Sequence, residues 1–286
     1  MTPTHNHADH PRQLVVAITG ASGALYAVRL LQVLLEARST VHLVVSSAAR
    51  QVFDQELDVA LPNVSAPANA WPELIQQITS NSPNSPWHFR PLHTTPATTP
   101  ATGTLIQYGT ADYSSPVASG SSLTDGMIIC PCSMGTLSSI AAGNSSNLIQ
   151  RAADVHLKER RPLILVPRET PLGMIQLENM VRVSRAGATV MPAMPGLYQK
   201  PTSIGDLIDF MEAWKLIKRP FGPHILQGQM YLELMKRMGN PVEEITFIYE
   251  LKADQSYKDR LGTRAGATKA AETGSAAGAD TYLLLP

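Results

Sequence analysis

From residue 14 the chain reads LVVAITGASGALYAVRLL. A short run of apolar and β-branched residues, Leu14 to Thr19, stops at four small ones, Gly20-Ala21-Ser22-Gly23. An apolar stripe of helical period follows at Leu25, Val28, Leu31 and Leu35. A strand that runs straight into a helix is half of a βαβ unit, and TVHLVVSS at 40–47 supplies the second strand. With a helical pattern over 48–57 the rhythm is β-α-β-α, which calls for a parallel sheet covered by helices.

The rhythm breaks over 62–125, where Pro, Ser, Thr and Asn crowd the chain and Leu74 to Ile78 suggest part of a short helix. The segment NSPNSPWHFRPLHTTPATTPATGT (81–104) has little apolar drive to pack, and 81–112 is expected to be a surface insertion. DGMIICPCS (125–133) is a third strand, and helices follow over 134–143 and 147–160. RPLILVPRE (161–169) is a fourth strand, and a helix over 173–186 ends at Gly187. ATVMPAMPG (188–196) is a fifth strand, and Ser203 caps a helix running to Ile217. These elements predict an α/β fold, a Rossmann-like or flavodoxin-like three-layer sandwich with a mainly parallel central sheet, over residues 13–219. Residues 1–12 are expected to be a disordered leader. Residues 220–286 are expected to be a C-terminal extension, with a helix at 228–239, a strand or short helix at 243–252, and a disordered small-polar run at 263–280.

Composition removes several function classes. Lys plus Arg and Asp plus Glu are 23 each, so the net charge is zero, which argues against nucleic-acid binding through bulk positive charge. Cys130 and Cys132 stand one residue apart, a strained disulfide spacing. Without a second pair they make a poor zinc site, so no metal is expected. Two free thiols fit a cytoplasmic protein. No apolar run approaches the roughly 18 residues of a membrane span. MTPTHNHADHPRQ lacks the apolar centre of a signal peptide.

Parallel sheets bind ligands beyond the carboxyl ends of their strands. Gly20, Ala21, Ser22 and Gly23 follow the first strand, Ser46 the second, Ser133 the third, and Arg168 and Glu169 the fourth. The turn is neither the G-x-G-x-x-G of dinucleotide binding nor a P-loop nor the G-x-S-x-G of a hydrolase elbow. Gly20 and Gly23 serve either a tight turn or the approach of an anion to a helix N-terminus. Ser46 and Ser133 are either ligand contacts or helix caps. Arg168 and Glu169, between Pro167 and Pro171, are either an ion pair or two rigidly presented charges. Arg151 and Lys158 share one helix face, which by spacing alone is a basic surface.

Taken together, TGASGALYAVRLL, VVSSAARQVFDQE, PVASGSS, MIICPCSMGTLSSIAAG, NLIQRAADVHLKERRPLILVPRETP, LENM and MPAMPGLYQKPTSIGDLIDF resemble the UbiX-like flavin prenyltransferases, within the homo-oligomeric flavin-containing cysteine decarboxylase superfamily. The resemblance covers about 14–60 and 113–213. It implies alkylation of reduced FMN at N5 and C6 by dimethylallyl phosphate, with no metal, and prenylated FMN destined for a UbiD-type decarboxylase. It implies homo-oligomers, trimers or dodecamers, and neither a nucleic-acid nor a membrane partner. Carried over by motif, Gly20, Ala21, Ser22, Ser46, Ser133, Met134, Gly135, Thr136 and Arg168 would hold FMN. Tyr113, Ser119, Gly120, Arg151, Lys158, Tyr198 and the position of Trp214 would surround the prenyl donor. Ser22, Glu56 and Glu169 would handle protons and phosphate departure.

Two departures stand out. Tyr113 replaces the tryptophan common in the family before the P-x-A-S-G-S loop. Trp214 occupies the place of a basic residue that contacts the prenyl phosphate, with Lys215 about 100° further round the helix. Two other readings therefore stay open: an FMN-dependent cysteine decarboxylase relative, and a non-catalytic flavin-binding or carrier protein. The first of these uses a catalytic His early in the chain and a P-A-S-A-N-T loop, which PVASGSS does not match.

Overall fold

The structure, a computed structural model, describes residues 11–80, 87, 89, 103–197 and 200–217, with side chains to residue 211. Expectations for 1–10, 81–86, 90–102 and 218–286 fall outside these residues. Six strands form one sheet: β1 Gln13–Ile18, β2 Thr40–Val45, β3 Thr104–Tyr108, β4 Gly126–Cys132, β5 Leu163–Pro167 and β6 Thr189–Val190. All neighbouring strands pair in parallel, in the order β3-β2-β1-β4-β5-β6. This is a doubly wound sheet whose direction of winding reverses between β1 and β4, and a crevice opens at the carboxyl ends of strands at such a reversal.

Helices cover both faces, so the strands read as continuous apolar runs rather than alternating ones. Alternate residues of β1 still divide the core in two. Leu14, Val16 and Ile18 pack with α1 (Ala24–Glu36), α3 (Ala70–Thr79) and Ile208 of α7 (Ile204–Ile217). Val15 and Ala17 pack with α4 (Met134–Ala141), α5 (Leu148–Lys158) and Val183 of α6 (Met174–Arg185). The remaining helix, α2 (Ser47–Leu57), follows β2 and buries Phe53.

The sheet has one strand more than the sequence pattern suggests. Residues 104–108, expected within the insertion, form β3 at the sheet edge. Its residues are half-exposed or exposed, which explains the weak apolar signal. Its register comes from elsewhere, since Thr104 N donates to Ser39 O at 3.0 Å and Gly103 N to Leu35 O at 2.7 Å. The short helix suggested at 74–78 extends over all of α3, burying Trp71, Leu74, Ile75 and Ile78. The expected fifth strand is regular only over Thr189–Val190, although Met191 N and Ala193 N still donate to Leu165 O and Pro167 O of β5, at 2.8 and 2.9 Å. Arg29, inside the leucine stripe of α1, makes a bidentate pair with Asp209 of α7, at 2.6 and 3.1 Å. Both side chains are almost wholly buried. This pair fixes the helix on which Trp214 lies. Among the described residues no helix is long and apolar enough to cross a membrane.

Candidate functional site

The site expected beyond the strands divides into two groups. The first lies at the carboxyl edge. Gly20 is there for packing: a Cβ at this position would collide with the Cβ of Ala48, one turn into α2. Gly23 has φ of +121°, a left-handed conformation that favours glycine. Its N–H and that of Ala24 donate to the Glu56 carboxylate, at 3.0 and 2.8 Å. The Gly23 and Ala24 amides at the N-terminus of α1 are therefore already held by the Glu56 carboxylate. Ser46 accepts from Ala49 N at 3.1 Å and caps α2. Ser133 accepts from Thr136 N at 3.3 Å, caps α4 and donates to Thr136 Oγ1 at 3.0 Å. Met134 is half-buried, and a Cβ on Gly135 would meet only open space.

Cys132 and Pro167 are register partners, so Ser133 and Arg168 emerge from adjacent strands. Arg168 and Glu169 are exposed. Neither enters an ion pair among the described residues. Glu169 Oε1 accepts only from the next amide, Thr170 N, at 3.0 Å. The two charges are presented, not consumed by each other. Hydroxyls at Ser22, Ser46 and Ser133, open space at Gly135 and a free guanidinium suit a phosphorylated flat ligand such as FMN.

The second group lies elsewhere. Asp125 N bonds Gln13 O and Met127 N bonds Pro162 O, both at 2.8 Å, which sets residues 119–124 and 158–161 at the amino edge. Six residues of β1, at about 3.3 Å each, separate the edges by roughly 20 Å. Here Lys158 Nζ lies 2.6 Å from Glu159 Oε1, and the bond and charge of Lys158 hold the Glu159 carboxyl below its usual range. Gly120 lies against both: a Cβ there would meet the Glu159 carboxylate and come within 3.2 Å of Lys158 Nζ, the mobile ends of two exposed side chains. Ser119 shares a 2.8 Å hydrogen bond with Ser121. Arg161 donates to Gly120 O, to Ser122 O at 2.5 Å and to Thr124 Oγ1 at 3.3 Å.

Behind Thr124 stands buried His156. Its Nε2 is 3.0 Å from Thr124 Oγ1 and its Nδ1 2.6 Å from Ala152 O. Burial, with help from the Arg161 charge, brings its pKa down to about 4. Arg151 lies two turns before Lys158, donating to Ala118 O and pairing with Asp154, both at 3.0 Å. Tyr113 bonds Ser145 O at 3.0 Å and leaves its ring half-exposed. Tyr198 is outside the described residues, and Trp214 is placed on α7 by its backbone alone. Lys158, Ser119 and Gly120 thus stand at the edge opposite the flavin group, whereas Tyr113 follows the carboxyl end of β3 and Arg151 lies in the first turn of α5, whose Leu148 N donates to Thr110 O just past that strand, at 2.7 Å.

Sequence reasoning missed Thr19, Arg161 and His156. Thr19 Oγ1 donates to Pro131 O and accepts from Ser133 N, each at 2.8 Å. A polar residue closing an apolar strand was its available signal. Neither described histidine reaches the carboxyl edge: His42 is held by Tyr108 and Gln13, and burial lowers its pKa. Both cysteines are buried thiols that form no disulfide, and burial, with Cys130 two residues away, pushes the Cys132 thiol up.

Comparison with known proteins shows the family. The Flavoprotein family model matches residues 2–216. The flavin prenyltransferase UbiX of Pseudomonas aeruginosa is 45% identical over 203 residues, covering 71% of this chain and 87% of that protein. This chain belongs to the flavin prenyltransferase family. Among solved structures, AnUbiX (PadA1) in complex with FMN and dimethylallyl pyrophosphate is 37% identical with a TM-score of 0.57, covering 72% of this chain and 91% of that one. A dodecameric FMN-dependent UbiX-like decarboxylase from Escherichia coli O157:H7 is 35% identical with a TM-score of 0.55, covering 71% and 92%.

Proposed function

We propose that this enzyme transfers the dimethylallyl group of dimethylallyl phosphate to N5 and C6 of reduced FMN, releasing phosphate and supplying prenylated FMN to a UbiD-type decarboxylase. The observation that carries this reading is the uncommitted Arg168–Glu169 pair beside Ser133 and across the crevice from Ser22. Bound FMN supplies the nucleophilic ring. Arg168 binds phosphate oxygens as their charge grows, an interaction that strengthens toward the transition state. The released phosphate would carry away the N5 proton, Glu169 would take the proton displaced from C6 and return it to the prenyl carbon whose double bond the ring closure consumes, and Ser22 would orient the flavin edge at N5. Glu56, committed to two backbone amides, holds the turn carrying Ser22.

The donor group completes the site from a second copy of the chain. Lys158, Ser119, Gly120 and Arg151 of one protomer would face the carboxyl edge of its neighbour, in a trimer or a dodecamer. Apolar surface for such contact adjoins that edge, since Met174, Ile175, Met194 and Leu197 are about 70% exposed. A cysteine-decarboxylase reading loses ground because neither described histidine stands near Arg168.

The test is anaerobic incubation with reduced FMN and dimethylallyl phosphate, followed by mass spectrometry of the released flavin. A gain of one C5H8 unit is expected. FMN recovered unmodified would overturn the reading and favour a flavin carrier. Ile175→Glu should dissociate the oligomer and abolish transfer together, as read by light scattering and the same assay.

A further inference from the structure

The sheet reverses its winding between β1 and β4, and the loops assigned to FMN leave from these two strands. Their ladder runs from Leu14↔Gly126 to Ala17↔Ile129 and then stops. Beyond it β4 is irregular, with a register shift against β5 between Ile129 and Cys132, and Pro131 has no N–H to offer. Thr19 takes over where the ladder ends. Its N–H donates to Pro131 O at 3.2 Å, and its hydroxyl donates to the same oxygen and accepts from Ser133 N.

The side chain is 1% exposed, so it does not meet a ligand directly. It acts through Ser133, whose N–H it fixes and whose own hydroxyl then caps α4 at Thr136. Toward β1, the next residue is Gly20, locked against Ala48. One hydroxyl thus sets the spacing of the Gly20–Gly23 and Ser133–Thr136 turns.

We propose that Thr19 is a positioning residue for the flavin site, its hydroxyl fixing the separation of the two turns that receive FMN. This rests on the flavin-binding reading above. The experiment compares wild type with Thr19→Val, which keeps the shape and removes both hydroxyl bonds, and Thr19→Ser, which keeps the bonds. FMN affinity is read by flavin fluorescence, and unfolding midpoint and donor KM are measured alongside. Thr19→Val is expected to weaken FMN binding at least tenfold, with a smaller change in donor KM, and Thr19→Ser to stay within threefold of wild type. A Thr19→Val protein that binds FMN as wild type does would overturn the proposal. Should Thr19→Val fail to fold, Thr19→Ser decides: loss of FMN binding there would show that the methyl, not the hydroxyl, matters. A wild-type protein that binds no FMN would instead overturn the functional reading, and this proposal with it.

Discussion

The two edges of the sheet are built on opposite principles. At the carboxyl edge the turns are held by hydroxyls and by one carboxylate on backbone amides, and the charged pair, Arg168 and Glu169, is left uncommitted. At the amino edge Lys158 and Arg161 are both engaged, with Glu159 and with the 120–124 loop, and two turns back along α5 Arg151 is engaged with Asp154 and Ala118 O. A ligand arriving at the carboxyl edge breaks no ion pair. A phosphate arriving at Lys158 must displace Glu159. That exchange costs little, because solvent screens an exposed pair of this kind.

The sharpest way to break this comparison is to remove the free charge and the hydroxyl at the carboxyl edge. Glu169→Gln and Ser22→Ala should each slow prenyl transfer by about 10²–10⁴-fold in single-turnover mass spectrometry at saturating FMN. Undiminished rates would reduce that edge to a binding platform.

Next in size is the pH response of the amino edge. The folded state keeps His156 neutral, with a pKa of about 4 against an ordinary 6.5. The unfolded chain therefore takes up this proton first as pH falls. Stability is complete above pH 6.5 and declines as pH drops toward 4, by about 3 kcal/mol in all. Urea midpoints across that window should fall in wild type and flatten in His156→Gln; parallel slopes would reassign the acid sensitivity.

Arg168→Gln should weaken FMN binding by the roughly 1.5–3 kcal/mol of a charge-assisted hydrogen bond, leaving the unfolding midpoint alone. An unchanged flavin titration would make Arg168 a bystander. The smallest effect belongs to Glu159→Gln, which releases Lys158. Donor KM should fall a few-fold, and the unfolding midpoint should hardly move; a raised KM would mean that Glu159 orients Lys158 for the donor.

How far the sequence reveals this depends on distance along the chain. The strand–turn–helix at 14–36 is legible because its signals are local, and so are the caps at Ser46 and Ser133, whose partners lie three residues away. Thr19 bonds a residue 112 positions on, and Arg29 one 180 positions on, so neither shows in any local pattern. Gly20 reads as a ligand-driven small residue and is explained by Ala48, which no spacing rule pairs with it. The strand β3 hides because a half-exposed edge strand carries little apolar signal. The division of the site was within reach. Lys158 precedes β5 and Arg168 follows it, so chain direction alone sends them to opposite edges.

The buried cysteines give the protein a built-in gauge of its own opening. Cys130 and Cys132 are the only thiols in the chain, both are fully covered in the middle of the sheet, and the Cys132 thiol resists ionisation. An alkylating reagent can reach them only when the centre of the sheet comes apart. The rate at which label accumulates, with and without flavin, therefore counts openings of the core in the unmodified wild-type chain, without any engineered probe.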